Sequence, residues 1–228
     1  MRKVGSFCLH YRRGGIILLY MIIYCILFSM LESRQVYEYH VVHMPLDDMI
    51  PFCGAFIIPY MLWFPYILVT VLFILFAETK GEYYRLISNL MIGMSIFLVV
   101  SYVYPNMQEL RPLVLDDASV FTPIVRWLYA TDTPTNVLPS IHVFNSLACH
   151  MAIAHSMQLK KYPVISVSSL VLCITIILAT MFLKQHSVID VALGSAMAML
   201  GYVIFYTPQE VKVGQLAYAE GGKSLPRR

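Results

Sequence analysis

Apolar and polar positions fall in long blocks along this chain, not at the period of a surface helix or strand. Residues 14–31, GGIILLYMIIYCILFSML, form the first apolar block. It is long enough to cross a bilayer core, which takes roughly 20 residues. No small-x-small cleavage site follows, because Glu32-Ser33-Arg34 comes next. The block therefore reads as a retained helix and not as a signal peptide. Further apolar blocks cover 51–77, 86–104, 141–158, 163–183 and 187–206. Pro51, Pro59 and Pro65 predict a kinked or tilted second span. The polar connections are 32–50, Glu78 to Arg85, the long segment 105–139, and Lys160-Lys161. A connection as long as 105–139 between compact spans is usually functional. The tail 207–228 is polar, Gly-rich and basic at its end, and reads as disordered. The pattern predicts an all-α fold, a polytopic membrane bundle of six transmembrane helices forming a single domain over 1–206.

Composition agrees with that picture. Of the 228 residues, 59% are hydrophobic and 13% charged, against about 45–50% and about 25% in a soluble domain. No basic stripe is interleaved with exposed aromatics, so a nucleic-acid partner is excluded. Cys8, Cys25, Cys53, Cys149 and Cys173 are scattered, with neither metal-ligand spacing nor a disulfide framework. The net charge of +3 matters less than its placement. With six spans, 12 of the 16 basic residues lie on the side of the termini, leaving Arg34, Arg111, Arg126 and Lys184 opposite. The positive-inside rule then puts both termini in the cytoplasm. The Arg111 segment, the start of the fourth span and the 184–190 turn share the outer side.

Three outer elements carry candidate chemistry. Arg111-Pro112 offers a cation at a turn. In Leu138-Pro139-Ser140-Ile141-His142, Pro and Ser precede an apolar run, a helix-start signal. Free amides and the positive end of the helix dipole then lie beside His142 and can take an anion. In Lys184-Gln185-His186-Ser187-Val188-Ile189-Asp190, His186 and Asp190 are four residues apart and share a helical face. Asp190 can hold one imidazole nitrogen of His186 and leave the other free as nucleophile or base. Ionisable residues among membrane spans are rare and mark function. Two histidines, an aspartate and two cations at lipid head-group level suit phosphate chemistry. His40 and His43, ahead of Asp47-Asp48, lack further ligands for a metal site. His150 reads as a hydrogen-bonding group inside the bundle, and His155 as interfacial. Asp116-Asp117 reads as a solvated turn, and Gly194 as a point of close helix packing.

The order Arg-Pro, Pro-Ser-x-His and His-x-x-x-Asp resembles the type 2 phosphatidic acid phosphatase (PAP2) superfamily. That superfamily also includes vanadium haloperoxidases, sphingomyelin synthases and inositol phosphorylceramide synthases. The matching core covers about 104–205. The resemblance implies that His186 is the nucleophile that forms a phosphohistidine. It implies that Asp190 orients His186, and that His142 is the general acid and then base. Arg111 and Ser140 would bind phosphate, and no metal or cofactor would be needed. This chain departs from the pattern at Tyr104, where the family has Lys, and at Ile141, where it has Gly. Ala179 and Thr180 stand where it has Ser and Arg. Lys184 is the candidate substitute for the missing cations. The Pro-Ser-Ile-His form looks closer to the phosphosphingolipid synthase branch.

The leading expectation is a lipid phosphatase of the cell membrane. It would hydrolyse a lipid phosphomonoester or pyrophosphate at the outer leaflet. A phosphotransferase that moves a phospho-head group from a phospholipid to a lipid alcohol is the second. A non-catalytic lipid-binding or transport protein on the same scaffold is the third. The sequence carries no signal for an oligomeric state.

Overall fold

The computed structural model describes residues 2–77 and 79–207. The tail from 208 onward and Glu78 lie outside the described residues. Eight helices are present among those described: α1 (Arg2–Ser33), α2 (Pro45–Met49), α3 (Ile57–Ala77), α4 (Lys80–Val103), α5 (Thr122–Thr131), α6 (Ile141–His155), α7 (Pro163–Phe182) and α8 (Val188–Phe205). Two short strands, β1 (His40–Val41) and β2 (Asn106–Met107), pair in parallel, His40 opposite Asn106. Five of the described helices, α1, α3, α4, α7 and α8, contain apolar stretches of 18–24 residues and are long enough to cross a membrane. The chain is thus a mostly helical, multi-pass membrane protein.

The fourth apolar block, 141–158, behaves differently. α6 stops at His155, where Ser156 leaves the helical conformation. Its 15 residues rise about 22 Å, against about 30 Å for a hydrocarbon core. α6 is instead the central post of the bundle, packed on α3, α4, α7 and α8. Most of its side chains, from His142 to Ile153, are buried. A helix wrapped by others need not be as long or as apolar as one that meets lipid.

Two boundaries follow local capping. The charged stretch ahead of Leu86 is not a loop but the first turns of α4. Thr79 and Glu82 form a reciprocal capping box, Glu82 N–H donating to Thr79 Oγ1 at 3.3 Å and Thr79 N–H to Glu82 Oε2 at 3.0 Å. That satisfies amides which a helix start otherwise leaves without partners. In the second apolar block, residues 51–53 form no helix and a single turn over Gly54–Phe56 precedes α3. Pro59 then falls in the first turn of α3, where a missing N–H costs little, and Pro65 lies inside the helix.

Small residues allow close approach at three crossings. A β-carbon on Gly93 of α4 would lie 2.1 Å from the ring of Phe144. One on Gly201 of α8 would lie 2.3 Å from Asn89 Oδ1. One on Gly194 would lie 2.6 Å from the carbonyl oxygen of Ser140. The Gly194 crossing fixes α8 against the start of α6, as its sequence context suggested. The long connection 105–139 holds amphipathic α5, which buries Val125 and Leu128 against Ile57, Tyr60, Ala179 and Leu183. Arg126 and Trp127 of the same helix face outward.

Candidate active site

The turn between α7 and α8 presents His186. Lys184 takes a left-handed conformation, φ 52°. The amides of Gln185 and His186 then both donate to the carbonyl of Thr180, at 2.9 and 3.1 Å. Ser187 caps α8, and its own N–H donates to Asp190 Oδ2 at 2.9 Å. The same carboxylate oxygen lies 3.2 Å from His186 Nδ1. Asp190 accepts only, so Nδ1 carries the proton and Nε2 of His186 keeps its lone pair. That lone pair faces His142 Nδ1 at 3.4 Å. Both rings are nearly buried, at 7% and 8% exposure.

α6 brings His142 to this point through its first turn. Ser140 Oγ accepts the N–H of Val143 at 3.4 Å, and the N–H of Ser140 donates to the backbone carbonyl of Asp190 at 3.2 Å. The starts of α6 and α8 are therefore bonded to each other. Asn106, fully buried, clamps the preceding loop. Its Oδ1 accepts from the amides of Val137 and Leu138 at 2.8 and 2.9 Å. Tyr60 and Trp63 of α3 cover His142, with ring centroids 4.8 and 4.3 Å away. A cleft of about 40 Å³ reaches both histidines from the side of Asp132, Asn136 and Gln185.

The histidine–aspartate triad of the sequence reading is thus assembled. The three phosphate-binding candidates are placed differently. Ser140 is fully buried, with its hydroxyl engaged as a helix cap. Arg111 donates to the carbonyls of Tyr129 and Asp132, at 3.0 and 2.5 Å, and to Gln185 Oε1 at 2.6 Å. Its guanidinium lies over the Tyr129 ring. Burial pulls the Arg111 guanidinium below its ordinary value, with the Asp132 carboxylate opposing. Burial pushes the Tyr129 phenol up to about 12. Lys184 turns away from the cleft. Its ammonium donates to the carbonyl of Asp47 at 2.6 Å and lines a separate pocket with His43, Asp48 and Glu109.

Asp47 is a residue whose role the sequence left unread. It lies in α2, far away in the chain, and is 2% exposed. Its carboxylate accepts from Ser187 Oγ at 2.6 Å, Val188 N–H at 2.8 Å and Met44 N–H at 2.9 Å. A carboxylate at the first amides of a helix satisfies orphan donors and matches the helix dipole. Together with the Lys184 contact it brackets the His186 turn on both sides. Gln185 and Tyr60 were also missed. Their only signal was adjacency to His186 and to Pro59, and neither reveals an orientation.

The remaining candidates have other partners. His40 stacks on Tyr104 at 4.2 Å. His43 Nε2 lies 3.0 Å from Asp48 Oδ1, and that hydrogen bond raises the imidazole above its ordinary value. His150 bonds Ser169 at 3.1 Å inside the bundle, the role its position suggested. His155 packs against Tyr202 and Tyr206. Asp116 closes a turn with Ala118, and Asp117 pairs with Arg126 at the surface. Among the described residues no group of three or more His, Cys, Asp or Glu side chains is placed to hold a metal ion. Comparison with protein-family models, curated proteins and solved structures finds no match.

Proposed function

We propose that this chain is a membrane enzyme that transfers a phosphoryl-containing group from a lipid through a phosphohistidine on His186. α6 is the sixth crossing in this reading, made in concert with its neighbours. Both termini are cytoplasmic, and the cleft opens toward the outer leaflet of the cell membrane. The observation that carries the proposal is the pair of distances at His186, Nδ1 to Asp190 and Nε2 to His142 Nδ1. A nucleophilic imidazole needs a fixed tautomer, and an acid–base group must stand within reach of the leaving oxygen.

The chemistry runs in two halves. Nε2 of His186 forms the N–P bond while the P–O bond to the lipid alcohol breaks. Doubly protonated His142, favoured by the phosphate's negative charge, gives its proton to the departing oxygen. In the second half an incoming hydroxyl forms a new O–P bond and the N–P bond breaks. The hydroxyl proton passes to His142, which restores the starting state. At 3.4 Å the two ring nitrogens leave no room for a phosphorus atom, so substrate entry separates the rings.

Water as acceptor makes the protein a lipid phosphatase, in keeping with its resemblance to the PAP2 superfamily. A lipid alcohol as acceptor makes it a head-group transferase. The second reading is favoured by one observation, that among the described residues neither Lys nor Arg lines the cleft. The test uses purified protein in detergent with labelled phosphatidate, phosphatidylglycerophosphate, polyprenyl pyrophosphate and a phospholipid plus ceramide or diacylglycerol. An acid-labile, base-stable phosphoenzyme is expected, absent in His186→Ala. Full turnover by His186→Ala would sink the mechanism. Release of phosphate supports the phosphatase, and a new phospholipid supports the transferase.

A further inference from the structure

We infer that the side-chain amide of Gln185 binds a non-bridging phosphate oxygen beside His186, and that the lipid substrate is a phosphodiester carrying one negative charge. This rests on the phosphohistidine reading above and narrows its substrate class.

The orientation of Gln185 is chemically forced. A guanidinium has donors and no acceptor. The atom of Gln185 that meets Arg111 Nη2 at 2.6 Å is therefore Oε1. Its Nε2, with two N–H groups, must point the other way. That nitrogen is buried without a hydrogen-bond partner, in a residue 3% exposed. Gln185 borders the cleft that reaches His142 and His186. Buried donors in folded proteins are almost always satisfied. A buried amide with unpaired donors, in a residue that borders the cleft, is suited to an oxygen that arrives with the substrate. Arg111 thus acts on the site through Gln185 by fixing the amide, while other donors of its guanidinium are taken by carbonyls at the C-terminal end of α5.

A second amide obeys the same logic. Asn136, 5% exposed and bordering the same cleft, donates its Nδ2 to Glu32. A carboxylate only accepts, so Oδ1 of Asn136 is turned away, and it too is buried without a partner. The cleft therefore offers a neutral donor and a neutral acceptor. Asp132 lines it as well, and among the described residues no Lys or Arg does. A phosphomonoester approaches a charge of −2 near neutral pH and would face Asp132 with too little positive charge. A phosphodiester carries one negative charge, the smaller load for a cleft whose donor is a neutral amide. During transfer its head group stays on phosphorus, and only the lipid alcohol leaves.

The test is binding, measured on the full chain in detergent with His186→Asn to block chemistry. The probes are phosphatidylcholine and phosphatidate of matched short acyl chains. The diester is expected to bind at least about 10-fold more tightly than the monoester. Adding Gln185→Met is expected to weaken diester binding about 10-fold or more, the scale of a hydrogen bond to a charged group. Gln185→Glu keeps an acceptor for Arg111, and so keeps the fold, but removes the donors; it is expected to weaken binding as well. Tighter binding of the monoester, or undiminished diester binding by either variant, would overturn the assignment. Loss of the phosphoenzyme with Gln185-dependent binding intact overturns the catalytic reading alone. An intact phosphoenzyme with Gln185-independent binding overturns this inference alone.

Discussion

The hydroxyl of Ser187 donates to the carboxylate of Asp47 at 2.6 Å, joining α2 to the N-cap of α8. The same carboxylate takes the N–H of Val188. The His186 turn is therefore held from outside as well as by its own cap, Asp190. Asp47→Ala strands a hydroxyl and two amides, a loss of about 2–4 kcal/mol at the cost of one buried bond or more. The expected result is a lower thermal midpoint in detergent and, in the folded fraction, a turnover loss with little change in KM. An unchanged midpoint would show that the clamp contributes nothing.

Gly194 and Gly93 are expected to tolerate no side chain. The atoms a β-carbon would meet at Gly194 are the Ser140 carbonyl oxygen and Val143 Cβ, at 2.6 and 3.2 Å, neither of them a flexible tip. At Gly93 the neighbour is the buried Phe144 ring. Overpacking of this kind costs about 1–3 kcal/mol. Gly81→Ala is the control, since its nearest contact is 3.9 Å away. Alanine there should be neutral or stabilising by up to about 1 kcal/mol. Equal thermal midpoints for the three alanine variants would contradict the crossing geometry.

Asn106 holds the loop that delivers His142. Asn106→Ala leaves the amides of Val137 and Leu138 without their acceptor, and about 2–3 kcal/mol of destabilisation is expected. Hydrogen exchange should rise first at residues 136–140. If protection there matches the wild-type chain, Asn106 is not the clamp.

His43 gives a prediction in pH. Its hydrogen bond with Asp48 raises the imidazole, with burial and Lys184 opposing and the charges of Asp48 and Asp47 reinforcing. A raised folded-state value means that the pair's stabilisation is fully present below the unfolded value of about 6.5. It is lost as pH rises through the folded value. Titration followed by NMR should place His43 above an ordinary histidine in the wild-type chain, and Asp48→Asn should bring it down. An identical midpoint in the two chains would remove Asp48 as the cause.

Much of this protein was legible in order of residues. Apolar blocks too long for a soluble domain predict membrane helices, because hydrocarbon leaves a backbone little choice but helix. Five of the six blocks became helices long enough to cross. His186 and Asp190 met because i and i+4 share a face, a local geometry that needs no other part of the chain. Ser140 and Ser187 began α6 and α8 for equally local reasons. Tertiary structure decided the rest. α6 became an internal post only because four other helices surround it. Asp47 reached Ser187, and Arg111 reached Gln185, across long sequence separations that no local pattern records. Lys184, two residues from His186, was turned out of the cleft by a left-handed backbone and a distant carbonyl. Spacing along one helix fixes which side chains can touch. Which of the remaining polar groups are consumed by partners, and which stay free for a substrate, depends on how the loops fold back.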